Sequence, residues 1–224
     1  MFGLITLIFG CFEDKANTED SAVRTEAEPV SVSIRLLDAM GGSLPEAIAL
    51  TSSIEEQTID SSGRGSILVP GDSQFTVQVE AANYVTHNLI AQSGQDDLEL
   101  VTLLAAENIS LQIYGMLNIE ANDQRGTLVV ALDHPDLSPA VGARADIDSD
   151  HDGAFVLGSM GASFSNEVPS GAGFVSFANV EPGPTTISIT PPEGERCWFH
   201  DVGGEGATVS VTAGQAAVAF FLCE

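Results

Sequence analysis

A strict alternation of apolar and polar side chains is the feature that most narrows what this chain can become. In Val30–Leu36, Val30, Val32, Ile34 and Leu36 fall on one side, and Ser31, Ser33 and Arg35 on the other. The stretch Gln74–Glu80 repeats the pattern, with Phe75, Val77 and Val79 on the apolar side. Successive strand residues point to opposite faces, so this period buries one face and wets the other, as a helix cannot. Gly41-Gly42, Ser61-Ser62-Gly63 and Pro70-Gly71 supply turns. Nothing between residues 30 and 105 sustains a helical period beyond a turn or two. The expected fold class is all-β.

The second half uses the same devices. Strands are expected at Ile109–Tyr114, Gly126–Leu132, Gly173–Asn179, Thr185–Thr190, Ala207–Thr212 and Ala216–Cys223. Gly65–Gly71 before Phe75–Glu80 aligns with Gly173–Gly183 before Thr185–Thr190. Each has a strand, a Pro-Gly turn and an alternating strand. Self-similarity on this scale predicts two tandem β-sandwiches, over residues 30–105 and 107–224. Residues 144–172 read as an inserted loop in the second. With 44% apolar residues, the 224-residue chain has enough material for two cores.

Several short motifs resemble the carboxypeptidase regulatory-like (transthyretin-like) domain. They are Thr58-Ile-Asp-Ser-Ser-Gly63, Val69-Pro-Gly71 and Glu80-Ala-Ala-Asn-Tyr84 in the first half, with Pro139–Ala143 and Gly173–Gly183 in the second. Asn83 stands where that family usually has Gly, and 144–172 exceeds its pattern. The resemblance implies an Ig-like sandwich serving as an accessory, adhesion or spacer module, without catalysis of its own.

Met1–Cys11 is apolar throughout and ends Ile8-Phe9-Gly10-Cys11. Ten residues are too short to span a bilayer, which takes about 20, but they suit a signal peptide. The ending resembles a bacterial lipobox. This implies a signal peptide over 1–10, a lipidated Cys11 and anchorage to a lipid membrane. Phe12 after that Cys resembles the outer-membrane default of a Gram-negative envelope, giving a periplasmic or surface-exposed protein. The alternative is a buried N-terminal strand with a core Cys. Residues 12–29 carry six acids and no hydrophobic period, so 11–29 reads as a lipidated Cys on a flexible, self-repelling tether.

Charge narrows the partners. Thirty-two acids against seven bases give a net charge of −25. That field repels nucleic acid and anionic headgroups. With Cys11 lipidated, Cys197 and Cys223 remain as an even pair in an oxidising compartment, where a disulfide is the natural inference. Two buried free thiols are the alternative.

The sharpest chemical signal is Asp148-Ser-Asp-His-Asp-Gly153, preceded by Asp146. Carboxylates at alternate positions before a Gly suit a calcium loop, with Asp146, Asp148, Asp150 and Asp152 as oxygen ligands. Ser159 stands where a bidentate Glu would close such a loop, and the competing reading is a solvated Asp-rich turn. His87, His134, His151 and His200 show no ligand spacing, and no nucleophile or phosphate-loop motif occurs. The sequence therefore predicts a non-enzymatic, membrane-anchored spacer or interaction module with an envelope protein or polysaccharide as partner. The alternative is a carbohydrate- or polymer-binding module, which would gather Tyr84, Tyr114 and Trp198 beside a groove.

Overall fold

The computed structural model describes residues 28–158, 161–199 and 206–224. The first half contains β1 (Val30–Asp38), β2 (Ile48–Thr51), β3 (Glu56–Ile59), β4 (Arg64–Val69), β5 (Gln74–Ala81), β6 (His87–Gln92) and β7 (Leu98–Leu104). One helix, α1 (Glu107–Met116), follows. The second half contains β8 (Gly126–Asp133), β9 (Arg144–Ile147), β10 (Gly153–Gly158), β11 (Gly161–Phe164), β12 (Phe174–Val180), β13 (Gly183–Thr190), β14 (Cys197–Phe199), β15 (Gly206–Val211) and β16 (Ala216–Cys223). The chain is all-β, two sandwiches in succession.

The alternation read in β1 and β5 sets their burial. Val32, Leu36 and Val77 are wholly buried, and Val30, Ile34, Phe75 and Val79 nearly so. Gly63, at φ 66°, makes the β3–β4 turn. A side chain there would strike the Leu36 carbonyl and the Leu44 side chain, so the turn needs Gly for space as well as for φ.

The strands form two small sheets and one large one. The small sheets have orders β4-β1-β7 and β15-β13-β9. The central sheet runs β11-β10-β12-β8-β16-β6-β5-β2-β3, with β14 also pairing β16. Its middle is the last strand. β16 pairs in parallel with β8 across Ala216–Leu222, and with β6 across Ala216–Ala219. One backbone ladder therefore runs through both halves.

Among the described residues, two large interiors lie on opposite faces of this sheet. β1, β4 and β7 cover one face, where Val218, Phe220 and Ala131 join the first half's core. β9, β13 and β15 cover the other, where Ala217, Ala219, Phe221 and Cys223 pack with Leu128, Val130 and Leu132, and Ile90 reaches across from β6. A strand covered on both sides must be apolar at every position, as Ala216–Cys223 is.

Two expectations are corrected. Residues 109–114, read as a strand, lie in α1. Their alternation is short, and helical spacing brings Tyr114 and Leu117 together against Phe155 and Ala178. Residues 144–172, read as an inserted loop, carry β9, β10 and β11. β9 is an edge of the second small sheet, and β10 and β11 extend the central one.

Candidate functional site

The sequence-predicted residues do not gather at one place. Cys11 lies outside the described residues. Cys197 and Cys223 form a disulfide, 26 residues apart, where β14 meets β16. Trp198, next to that bridge, points away from the core; Phe199 faces in instead and packs on Phe221 at 5.2 Å between ring centres. The register of β14 decides this, because neighbours on a strand face opposite ways.

The four aspartates each have a separate protein partner. Asn166 Nδ2 donates to Asp146 at 3.0 Å, and the Thr186 amide donates to Asp148 at 2.7 Å. Arg125 donates to Asp150 at 2.6 Å, and Asn179 Nδ2 to Asp152 at 2.6 Å. Glu167, nearby on the chain, is paired with Arg144. The Thr186 amide holds Asp148 below the usual carboxylate range, as Arg125 does Asp150. A calcium loop turns such oxygens onto one point. Among the described residues, no three or more His, Cys, Asp or Glu side chains gather in that way.

Asn179 is the residue that the sequence did not single out. It is buried, at φ 49°, where the β12–β8 register shifts between Phe177 and Val180. Its amide donates to the Glu120 carbonyl and to Asp152, and its Oδ1 accepts from the Asn122 amide. Its own carbonyl accepts from Arg125. An Asn inside the strand pattern Phe174–Val180 is the sequence signal that could have found it, because Asn is among the few residues that accept the left-handed backbone of a bulge.

A groove of about 870 Å³ lies on the first-core side of the central sheet. Strand registry lays out its floor. His87, Ala216 and Thr127 form one cross-strand row, Val218, Val129 and Ser176 the next, and Ala131 with Phe174 the third. Asp133 ends the series on β8. Six residues separate Thr127 from Asp133, so the floor is about 20 Å long at roughly 3.3 Å per residue. β7 forms one wall through Val101, Thr102 and Leu103, and α1 forms another through Ser110, Leu111 and Tyr114.

Polar groups sit at the two ends. His87 is buried; burial lowers its pKa and keeps the ring neutral. Its Nδ1 donates to the Val85 carbonyl at 2.7 Å, which leaves Nε2 as an acceptor. Tyr114 shares a hydrogen bond with Thr127 at 2.8 Å. At the far end, burial pushes the Asp133 carboxyl up to about 7. A side chain at position 173 would run into that carboxylate, so Gly173 makes its niche. His87 and Asp133 are too far apart to act on one atom. At the mouth, Tyr84 donates to Asp38 at 2.7 Å, which pushes its phenol up to about 12. Tyr84 and Tyr114 line the groove; Trp198, on β14, does not.

No family model matches the chain, and no curated protein matches it. Among solved structures, it is similar to the Bacillus anthracis TIE protein (13% identity, 87% of this chain and 34% of that one, TM-score 0.30). It is also similar to GBS52, the minor pilin of Streptococcus agalactiae (10% identity, 85% and 94%, TM-score 0.30). A third is the major pilin of Streptococcus pyogenes (7% identity, 88% and 98%, TM-score 0.31). The chain spans about a third of the length of the first of these. Superpositions this loose carry no argument about function.

Proposed function

We propose that this chain is a tethered, non-enzymatic module of the cell envelope, which holds its groove away from a membrane and presents it to an envelope protein. Acylated Cys11 is the anchor, residues 12–29 are the leash, and the two sandwiches are the body. The observation that carries this reading is the position of β16, hydrogen-bonded to β6 on one side and β8 on the other. A module that must hold a fixed surface at a distance needs its halves locked together, and a shared ladder does so more stiffly than a linker.

The two ends of the groove support binding over catalysis, since its imidazole and its carboxyl stand about 20 Å apart on the strand ladder. The turn at Asn83, with φ 66°, supports kinship with the carboxypeptidase regulatory-like domains, because it is a backbone that Gly, their usual residue at this place, adopts freely and Asn tolerates. Phe12 after the acylated Cys supports an outer-membrane address in a Gram-negative envelope.

Intact mass of the membrane-extracted protein tests the anchor. The expected species has lost residues 1–10, carries acyl chains on Cys11 and contains one disulfide. Cys11→Ser is expected to release the protein from the membrane. A membrane-bound chain with an unmodified Cys11 would overturn the reading.

A further inference from the structure

The wall that β7 lends to the groove is an open strand edge. Among the described residues, β7 pairs with β1 alone. The Ala39 amide donates to the Leu104 carbonyl at 3.0 Å, which fixes the phase of that parallel ladder. Leu100, Thr102 and Leu104 turn their backbone groups toward β1, so Val101 and Leu103 turn theirs the other way. The next residue in the outward series, Ala105, shows what this edge accepts: its carbonyl takes the Val85 amide at 3.1 Å. Among the described residues, nothing pairs with the outward amides and carbonyls of Val101 and Leu103.

The chemistry around that edge is selective. The floor beside it is apolar at Val129, Ala131, Val218 and Phe174. Leu111 on the opposite lip is 59% exposed, an apolar side chain without cover. At one end waits the Asp133 carboxylate, to which no side chain among the described residues donates. The chain's net charge of −25 favours a cationic or neutral occupant over an anionic one. The volume, about 870 Å³, falls in the usual range for binding clefts, about 300–1,000 Å³.

We infer that the groove binds an extended peptide segment of a partner protein, added as a strand to the free edge of β7, with alternate apolar side chains on the floor and a Lys or Arg at Asp133. Backbone pairing at Val101 and Leu103 supplies the directional part of the affinity, and the floor and Asp133 supply the selection. A fatty acid would make no use of the edge, and its carboxylate would meet Asp133 or the acidic field. The inference rests on reading the chain as an interaction module and specifies the mode of interaction.

The test uses the full chain at pH 8 and a labelled decapeptide of alternating Val and Thr with Lys at both ends. Fluorescence anisotropy is expected to show saturable binding. Val101→Pro removes one outward N–H and no ladder bond to β1, a change that edge strands tolerate. It is expected to weaken binding about tenfold, the scale of one lost hydrogen bond with some steric interference. The same peptide N-methylated throughout is expected not to bind the unaltered protein, which keeps the test valid should Val101→Pro fold poorly. Replacing both Lys by Glu is expected to weaken binding at least about tenfold, the scale of a lost charged hydrogen bond. Equal binding of the methylated and unmethylated peptides would overturn the inference. So would no peptide binding at all, or palmitate binding that Val101→Pro leaves unchanged. A chain that is acylated at Cys11 yet binds no peptide would lose this inference and keep its anchor.

Discussion

Asp133 makes the stability of this protein depend on pH in an unusual direction. Its folded-state pKa is raised from 3.8 to about 7, chiefly by burial. The folded state therefore holds the proton more tightly than the unfolded state. This group's contribution is fully favourable below about pH 4, falls as pH climbs to about 7, and is flat above. A shift of about three units corresponds to about 4 kcal/mol at about 1.4 kcal/mol per unit. Asp133 keeps some contact with solvent, so screening reduces this to about 2 kcal/mol. Asp133→Asn replaces the carboxylate with a neutral group of the same shape and removes the dependence. Urea unfolding of the variant and the parent should give equal stabilities near pH 4, with the variant about 2 kcal/mol more stable at pH 8. Comparing the two cancels the titration of the other carboxylates. A difference that stays constant between pH 4 and pH 8 would refute the claim that Asp133 is buried without a partner.

Three further outcomes follow from particular contacts. Replacing Cys197 and Cys223 by Ser opens a closed loop of 26 residues and should lower stability by about 3 kcal/mol in the chain-entropy model, read by chemical denaturation with and without reductant. Asn179→Ala leaves the Glu120 carbonyl and Asp152 without their donor and places Ala at φ 49°; a loss of about 2–4 kcal/mol is expected, and Asn179→Gly should cost less because it relieves the backbone. Calcium at millimolar concentration should leave the melting temperature where chelator leaves it, since Asp146, Asp148, Asp150 and Asp152 are turned to four different partners.

The parts of the fold that follow from local chemistry were legible in the sequence. Alternation placed β1 and β5, Ser61-Ser62-Gly63 and Pro70-Gly71 marked their turns, and the redox argument paired Cys197 with Cys223. The apolar run of Ala216–Cys223 marked a strand, and the sheet order explains its lack of alternation, since both its faces are covered. What stayed hidden depends on residues distant in the chain. Helix α1 is selected by its contacts with Phe155 and Ala178, whereas its short alternation read as a strand. Asp133 was one acid among thirty-two until the fold set it beside Gly173. The same folding drew the Asp-rich run apart, giving Asp150 to Arg125 and Asp152 to Asn179. The open edge of β7 is a property of sheet order, and no residue in Leu98–Leu104 announces it.

Strand β16 makes the two sandwiches one mechanical unit. Phe220 and Phe221 are neighbours on that strand, yet Phe220 packs in the first core and Phe221 in the second. Differential scanning calorimetry of the parent, Phe220→Ala and Phe221→Ala distinguishes one unit from two, each substitution costing about 3–5 kcal/mol. One cooperative transition is expected, with calorimetric and van't Hoff enthalpies equal, and both substitutions lowering it. Two transitions, one moved only by Phe220→Ala and the other only by Phe221→Ala, would contradict it.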